Sequence, residues 1–408
     1  MTIQLGYFVP EFPGQTHIFF WREIERLEAL GAKIHIVSTR KPLQKITSHS
    51  WSEQAKARTI YLLEQVHLGL VFQLIASAFR FSPVVWMKCF RSIDRSNVSF
   101  KSRIELIFLA LFGARLSVIA KAKGWDHLHV HSCANAANIA LFANILSGLP
   151  YSMTLHGPLS DYGPNQNEKW SHASFGIVIT HKLFAELRAE LGPEATKNLF
   201  IAPMGVNLDV FRRAAPYQAY EGQGPALLYC VGRLNPCKGH ADLIEAVARL
   251  KHRGLNVRLK IAGEDELGGS GYHKDLQNLI DKLKVGQEVE LLGAVSEHVI
   301  RDGLTRSHAF ALASLGEPLG VAIMEAMALE MPVVVTSGGG VKELVDDGKD
   351  GLLVPPQNIE ELTKALSKIL HEPALAKRLG RASRQKIADH FQDFRSAELL
   401  LKHAQERV

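Results

Sequence analysis

Residues Ala311–Val345 read ALASLGEPLGVAIMEAMALEMPVVVTSGGGVKELV. An apolar run leads into a loop with a carboxylate, then an apolar helix pattern, a second apolar run and a glycine-rich turn. The two runs, Ala309–Ala313 and Pro332–Thr336, are nearly continuous in apolar residues, as in parallel strands covered on both faces. Between them the spacing predicts a helix beginning near Leu319, with Pro318 suited to its start. Strand, helix, strand in this order is a crossover unit of a doubly wound sheet. Ligands of such sheets bind outside the carboxyl ends of the strands, which is where Glu317 falls. Glu325 follows eight positions later, among AIMEAMAL. A carboxylate with apolar neighbours needs a partner if it is buried, and carboxylates accept hydrogen bonds from paired hydroxyls; the plainer alternative is a glutamate facing solvent. Gly338, Gly339 and Gly340 offer bare amides that suit a phosphate or carboxylate.

The same alternation extends outward. Ile3–Val9, Lys33–Ser38, His127–His131, Tyr151–Thr154, Phe175–Ile179 and Leu199–Ala202 read as strands in the first half; Ala226–Val231, Val257–Ala262 and Val289–Leu292 do so in the second. Helical patterns such as Trp21–Leu30 and Ala241–His252 separate them. With 408 residues, two α/β domains of ordinary size are expected. The expected divisions are residues 1–210, a linker over 211–224 where the pattern lapses, a second domain over 225–385 and a terminal helical segment over 386–408 that suits either domain. Residues 55–125 read as a basic helical insertion in the first domain, open between a solvated helical layer and a peripheral contact with anionic lipid.

A further constellation lies in YCVGRLNPCKGHADLIEAV. A strand ends at Val231, and Gly232, Arg233 and Lys238 follow before a helix. Two cations and a helix start at a strand's carboxyl end suit a diphosphate; two solvated cations in a turn are the alternative.

These segments resemble the C-terminal domain of the retaining glycosyltransferases of family 4, which have the GT-B fold. The resemblance rests on V-G-R-L with its following K-G, on E-x7-E within E-P-L-G-V-A-I-M-E-A-M-A, on P-V-V-V-T-S-G-G-G-V-K-E-L-V and on D-G-L-L-V-P-P. It implies two Rossmann-like, doubly wound parallel-sheet domains facing a cleft. It also implies that Arg233 and Lys238 hold a donor diphosphate, that Glu317 contacts the transferred sugar and that Glu325 contacts the ribose. Backbone amides at Leu319, Gly320 and Val321 approach the sugar or phosphate, and the base is expected against the turn Leu292–Val295. Two departures bear on donor fit: a longer loop, GEDELGGSGYHKDL, carrying Gly263, Gly268, Gly269 and Gly271, and Pro318 in place of the commoner glycine.

The first half is less specific. FPGQTH supplies Gly14 on the donor side and Gln15, Thr16 and His17 as acceptor-side candidates. HVHSCANAAN supplies His131 and Asn135, and SMTLHGPLSDYG supplies His156, Gly157 and Asp161. The family often places a histidine at the position of His156, near the reacting centre. PMGVNLDVF supplies Gly205, Asn207 and Asp209, with Asn207 read more readily as a shaper of the hinge turn than as a substrate contact. His17 and His131 stay open between polar structural residues and acceptor contacts.

Composition excludes little. Formal charge is +6, compatible with an anionic ligand, membrane or nucleic acid, but basic residues are dispersed and no aromatic-basic motif marks nucleic acid. Four cysteines form no C-x-x-C pair, which suits a reduced, cytosolic setting. The N-terminus has no signal-peptide pattern, and the apolar stretches Val66–Phe79 and Ile104–Ala120 are too short or too charged to span a bilayer. His127, His129 and His131 share a strand face with no Cys or carboxylate at ligand spacing, so no metal site is expected. No cofactor is expected beyond a UDP- or GDP-linked sugar as co-substrate, in metal-independent chemistry. The overall resemblance is to bacterial exopolysaccharide enzymes of the colanic-acid type, which implies a glycan or lipid-linked acceptor at the cytoplasmic membrane face. The alternatives are another enzyme of this fold, such as a sugar-nucleotide epimerase or a sucrose- or glycogen-type synthase, and a non-catalytic, membrane-associated protein that binds a nucleotide sugar.

Overall fold

The computed structural model describes residues 2–42, 49–63, 68–265 and 271–406. Val66 of the first apolar stretch and Gly268 and Gly269 of the long loop lie outside the described residues.

The first sheet contains β1 (Gln4–Glu11), β2 (Lys33–Arg40), β3 (Ile60–Leu63), β4 (His127–Val130), β5 (Tyr151–Leu155), β6 (Phe175–Val178) and β7 (Leu199–Ile201) in the order β3-β2-β1-β4-β5-β6-β7. The second contains β8 (Ala226–Val231), β9 (Val257–Ala262), β10 (Val289–Gly293), β11 (Ala309–Leu312), β12 (Val333–Thr336) and β13 (Leu352–Val354) in the order β10-β9-β8-β11-β12-β13. Every pairing is parallel. The order reverses between β1 and β4 and between β8 and β11, so each sheet opens a crevice at the carboxyl ends of these strands. β4, β5, β11 and β12 are buried along their whole length, which accounts for the apolar runs of β11 and β12, while β4 buries histidines bonded to Ser152 and Thr154 of β5.

Residues 55–125 are not a single helical insertion. They contain the edge strand β3, an excursion of two helices, Leu68–Ala78 and Pro83–Arg95, and the helix Phe100–Lys123 that crosses back to β4. Ile60–Leu63 has only four residues, too few to show a strand period beside helical neighbours. Cys89, Ile93, Leu106, Ala110 and Ala114 bury this layer against Phe142 and Leu146. The opposite side carries exposed large apolar residues, among them Phe72, Phe79, Phe90, Phe100 and Phe108. Among the described residues no single helix is long and apolar enough to cross a membrane; the helices Leu68–Ala78 and Pro83–Arg95 together reach that composition, bent by 105°.

The stretch expected as a linker is pinned to the second domain. Tyr217 donates to the carbonyl of His308 at 2.5 Å, and Arg213 donates to the carbonyl of Thr305 at 2.7 Å. The chain then recrosses: helix Pro373–His390 packs on helix Val321–Ala328, and helix Phe394–Gln405 packs on helix Ile18–Ala29. The terminal segment thus serves both domains. At the crossing Gly205 lies so close to Gln392 that a Cβ would fall 2.3 Å from its carbonyl carbon. Other contacts close the domains on each other. Glu343 accepts the amides of His181 and Lys182 at 2.7 and 2.8 Å, a carboxylate at a helix N-terminus. His49 bridges the carbonyl of Gln15 at 2.7 Å and Glu297 at 3.2 Å.

Candidate active site

On the second domain, three loops meet at the carboxyl ends of β8, β11 and β12. After β8, Asn235 accepts the amide of Cys237 at 3.0 Å, and Gly239, at φ 65°, starts the helix His240–His252. A Cβ on Gly239 would lie 1.9 Å from the carbonyl oxygen of Ala313, so the K-G step brings the β8 and β11 loops into contact. Lys238 thereby reaches Glu317, Nζ to Oε2 at 2.5 Å. Ser314 donates to the same oxygen at 3.2 Å. Glu317 is 9% exposed: it is fixed by two donors and held against a cation.

Of the glycine run after β12, read as a row of bare amides, one amide is engaged within the loops and all three residues serve close approach. The amide of Gly340 donates to the carbonyl of Glu317 at 2.9 Å, and the amide of Glu317 donates to Gly338 at 3.3 Å. A Cβ at Gly338, Gly339 or Gly340 would sit 2.1–2.2 Å from the carbonyls of Leu315, Glu317 or Pro318. These residues let the loop that carries Glu317 lie on its neighbour. Gly263 plays a similar part, at φ 150° and against the carbonyl of Gly232, while its amide donates to Gly293 at 2.9 Å. The loops after β8, β9 and β10 are stitched together there, beside the turn that carries Val295. Gly320, at φ 102°, caps the helix Val321–Ala328 beside Glu317, and Leu319 is buried.

Glu325 is buried and does not face solvent, and the partner that such burial requires comes from the other domain. Arg22 Nη2 meets Glu325 Oε1 at 2.7 Å. The guanidinium also stacks over Phe211 at 4.9 Å.

The first domain contributes the loop of Gly14, Gln15, Thr16 and His17. His17 is held neutral, its pKa pushed down to about 3 by burial, by the charge of Arg233 across the cleft and by His49 and His156. His156 follows β5, and burial, with help from His131, brings its pKa to about 3. Gly157 faces the second domain: a Cβ there would lie 3.8 Å from Pro318 and 3.9 Å from Asp161. The neighbours of His156 and Glu317 are therefore opposed across the cleft, with Asp161 at its rim. Two acceptor-side candidates lie elsewhere. His131 is buried behind His156, Nδ1 to Nε2 at 3.1 Å. Asn207 uses its side-chain oxygen to accept the amides of Asp209 and Val210 at 2.9 and 3.2 Å, an Asx turn that shapes the hinge.

Several buried polar atoms here have no partner among the described residues: both amide atoms of Gln15, Nδ1 of His17 and both ring nitrogens of His240. His240, the first residue after K-G, is held to about 4 by burial and by Lys238. Such deficits are rare in folded proteins, and these flank the two cations. A carboxylate does stand beside the histidines of β4: Glu23, His129 and His131 bring one ligand atom each within 4.8 Å, which the strand spacing alone did not reveal. Both nitrogens of His129 are already bonded, to Ser152 at 2.7 Å and Thr154 at 2.9 Å.

The family model for glycosyl transferases group 1 matches residues 216–386, which span all of these second-domain loops. The chain carries a glycosyl transferases group 1 domain. The glycosyltransferase is 25% identical to a putative colanic acid biosynthesis glycosyltransferase of Salmonella typhimurium, over 95% of this chain and 96% of the relative. Among solved structures it resembles the Anabaena HepE protein in complex with UDP-glucose, with a TM-score of 0.74 and 17% identity over 99% of this chain and 100% of that one. It also resembles sucrose-phosphate synthase of Thermosynechococcus elongatus, with a TM-score of 0.72 and 19% identity over 99% of this chain and 98% of that one. These likenesses give the glycosyltransferase the GT-B fold.

Proposed function

We propose that this glycosyltransferase moves a sugar from a UDP- or GDP-sugar to a hydroxyl of a glycan or lipid-linked acceptor, with retention of configuration, in the assembly of a cell-surface polysaccharide. The carrying observation is the convergence of Arg233, Lys238 and the start of helix His240–His252 at the carboxyl end of β8, with the charge of Arg233 felt by His17 across the cleft. Cations fixed where charge grows on a departing diphosphate stabilise the transition state without reorganising. Lys238 and Ser314 hold Glu317 where it orients the transferred sugar. Glu325 takes the ribose. The acceptor hydroxyl attacks the anomeric carbon from the face the diphosphate leaves, and a phosphate oxygen takes its proton. Domain closure excludes water and limits hydrolysis of the donor. The cations supply the charge that a metal supplies elsewhere, so transfer proceeds without one.

The acceptor reading draws on the colanic acid relative and on the helical layer of the first domain. Phe72, Phe79, Phe90 and Phe100 are 50–85% exposed, and Arg80, Lys88, Arg91 and Lys101 are exposed among them. Apolar side chains with cations around them suit the surface of an anionic bilayer, on the cytoplasmic face, where a lipid-linked acceptor is presented.

Nucleotide release measured against UDP- and GDP-sugars, with and without lipid-linked acceptors, tests the reading. One donor class should give acceptor-stimulated release. A full panel with neither transfer nor slow hydrolysis would overturn it.

A further inference from the structure

A file of buried side chains runs from helix Ile18–Ala29 to the cleft. Glu23 is 3% exposed. Its Oε2 accepts the hydroxyl of Tyr7 at 2.7 Å and lies 2.9 Å from Nε2 of His131. Nδ1 of His131 lies 3.1 Å from Nε2 of His156. Aromatic walls hold the file in place: Tyr7 and Phe20 lie 4.5 and 4.7 Å from the His131 ring, and Phe20 lies 5.5 Å from that of His156. His156 alone among the three is partly exposed.

The proton positions follow from this order. The hydroxyl proton of Tyr7 is given to Glu23, which marks that carboxyl oxygen as an acceptor. His131, deprived of water, carries a single proton. Were that proton on Nδ1, a bare Nε2 would stand 2.9 Å from the carboxylate oxygen, two acceptors in repulsive proximity. Nε2 of His131 has no hydrogen-bond partner among the described residues, and the charge nearest it is the Glu23 carboxylate at 2.9 Å, which attracts an N–H there whatever the bond angle. The proton is therefore on Nε2. Nδ1 of His131 is then bare and takes the Nε2–H of His156. One step further on, Nδ1 of His156 is left bare.

We propose that Glu23 is a positioning residue which, through His131, fixes His156 as its Nε2–H tautomer, so that Nδ1 of His156 accepts a hydrogen bond from a hydroxyl of the reacting sugars and does not donate one. The proposal rests on glycosyl transfer as the reaction. Its chemistry is that of a carboxylate that sets an imidazole tautomer at one remove.

Selective 15N labelling of histidine tests it, since protonated and bare ring nitrogens have well-separated shifts. In the wild-type protein His156, assigned through His156→Gln, should show a protonated Nε2 and a bare Nδ1. In Glu23→Ala the two tautomers should mix, kcat should fall at least roughly tenfold, the scale for a lost orienting partner, and the donor KM should change little. Glu23→Asp, which keeps the carboxylate, should recover the tautomer and most of kcat, and it serves also if Glu23→Ala does not fold. A protonated Nδ1 on His156 in the wild type overturns the proposal whatever the activity, as does Glu23→Ala with an unchanged His156 signal. A correct tautomer in a protein that transfers no sugar instead counts against glycosyl transfer.

Discussion

Arg22 and Glu325 stand 303 residues apart in sequence, yet Nη2 and Oε1 meet at 2.7 Å with both side chains under 10% exposed. The pair joins the first helix of one domain to the donor-side helix of the other. Removing one partner leaves a buried charge uncompensated, at about 3–5 kcal/mol, whereas replacing both with apolar groups costs far less. Arg22→Met and Glu325→Leu should therefore each lower the urea midpoint strongly, and the double variant should be more stable than either single one. Additive losses in the double variant would show that the pair is not coupled.

Lys238 and Glu317 predict a second, chemical effect. Lys238 is placed for the diphosphate and also holds Glu317. Lys238→Ala should lower turnover by roughly 10²–10³, the scale for one lost transition-state donor. Arg233→Ala should fall in the same direction. Near-normal nucleotide release in either variant would remove that residue from the diphosphate.

The second domain was largely legible because its site is local. Gly232, Arg233 and Lys238 follow one strand, and Glu317 and Glu325 follow another, so spacing places them. Arg22 and Glu23 were not legible. In WREIERLE they look like solvated charges beside an apolar stripe, and only the tertiary structure turns them toward Glu325 and His131. β3 was hidden by its length, and β13, within D-G-L-L-V-P-P, by its three residues. The histidines of β4 read as a strand face, correctly, but their carboxylate partner comes from a helix more than a hundred residues earlier.

Gly239 ties the two halves of the donor site. Alanine there must adopt φ 65° and place its Cβ 1.9 Å from the carbonyl of Ala313. That combines left-handed strain with overpacking, each about 1–3 kcal/mol. Gly239→Ala should lower the melting temperature and raise the donor KM, because the loop of Lys238 must move from Glu317. Gly254→Ala, also at positive φ but with nothing within 4 Å of its Cβ, should cost only stability. Equal effects on KM at the two positions would contradict this.

Acid should loosen the first domain through its buried histidines. His127 is stacked on Phe175 and bonded to Ser152 at 2.8 Å. Burial lowers its pKa from 6.5 to about 3. Between those values the unfolded chain holds a proton on this residue that the folded chain does not, so stability rises with pH there and is lost as pH falls from 6.5 toward 3. Each such histidine adds a slope of about 1.4 kcal/mol per pH unit. His127→Gln should flatten the pH dependence of the urea-unfolding free energy between pH 4.5 and 6 by one proton's worth. An unchanged slope would mean that His127 titrates alike in both states.

The exposed layer of the first domain predicts lipid binding that is separable from chemistry. Phe79 and Phe72 are 85% and 70% exposed, and burying a phenylalanine in an apolar phase is worth about 1.5–3 kcal/mol. Each lost ring should therefore weaken partition by roughly tenfold or more. Phe72→Ser with Phe79→Ser should release the protein from anionic liposomes in flotation, while hydrolysis of the sugar nucleotide in solution stays unchanged, since both rings project into solvent from the helical layer. Raised salt should weaken wild-type binding as it screens Arg80, Lys88 and Arg91 from the headgroups. Full flotation of the double variant, or none of the wild type alongside activity on soluble acceptors, would remove the membrane from this account.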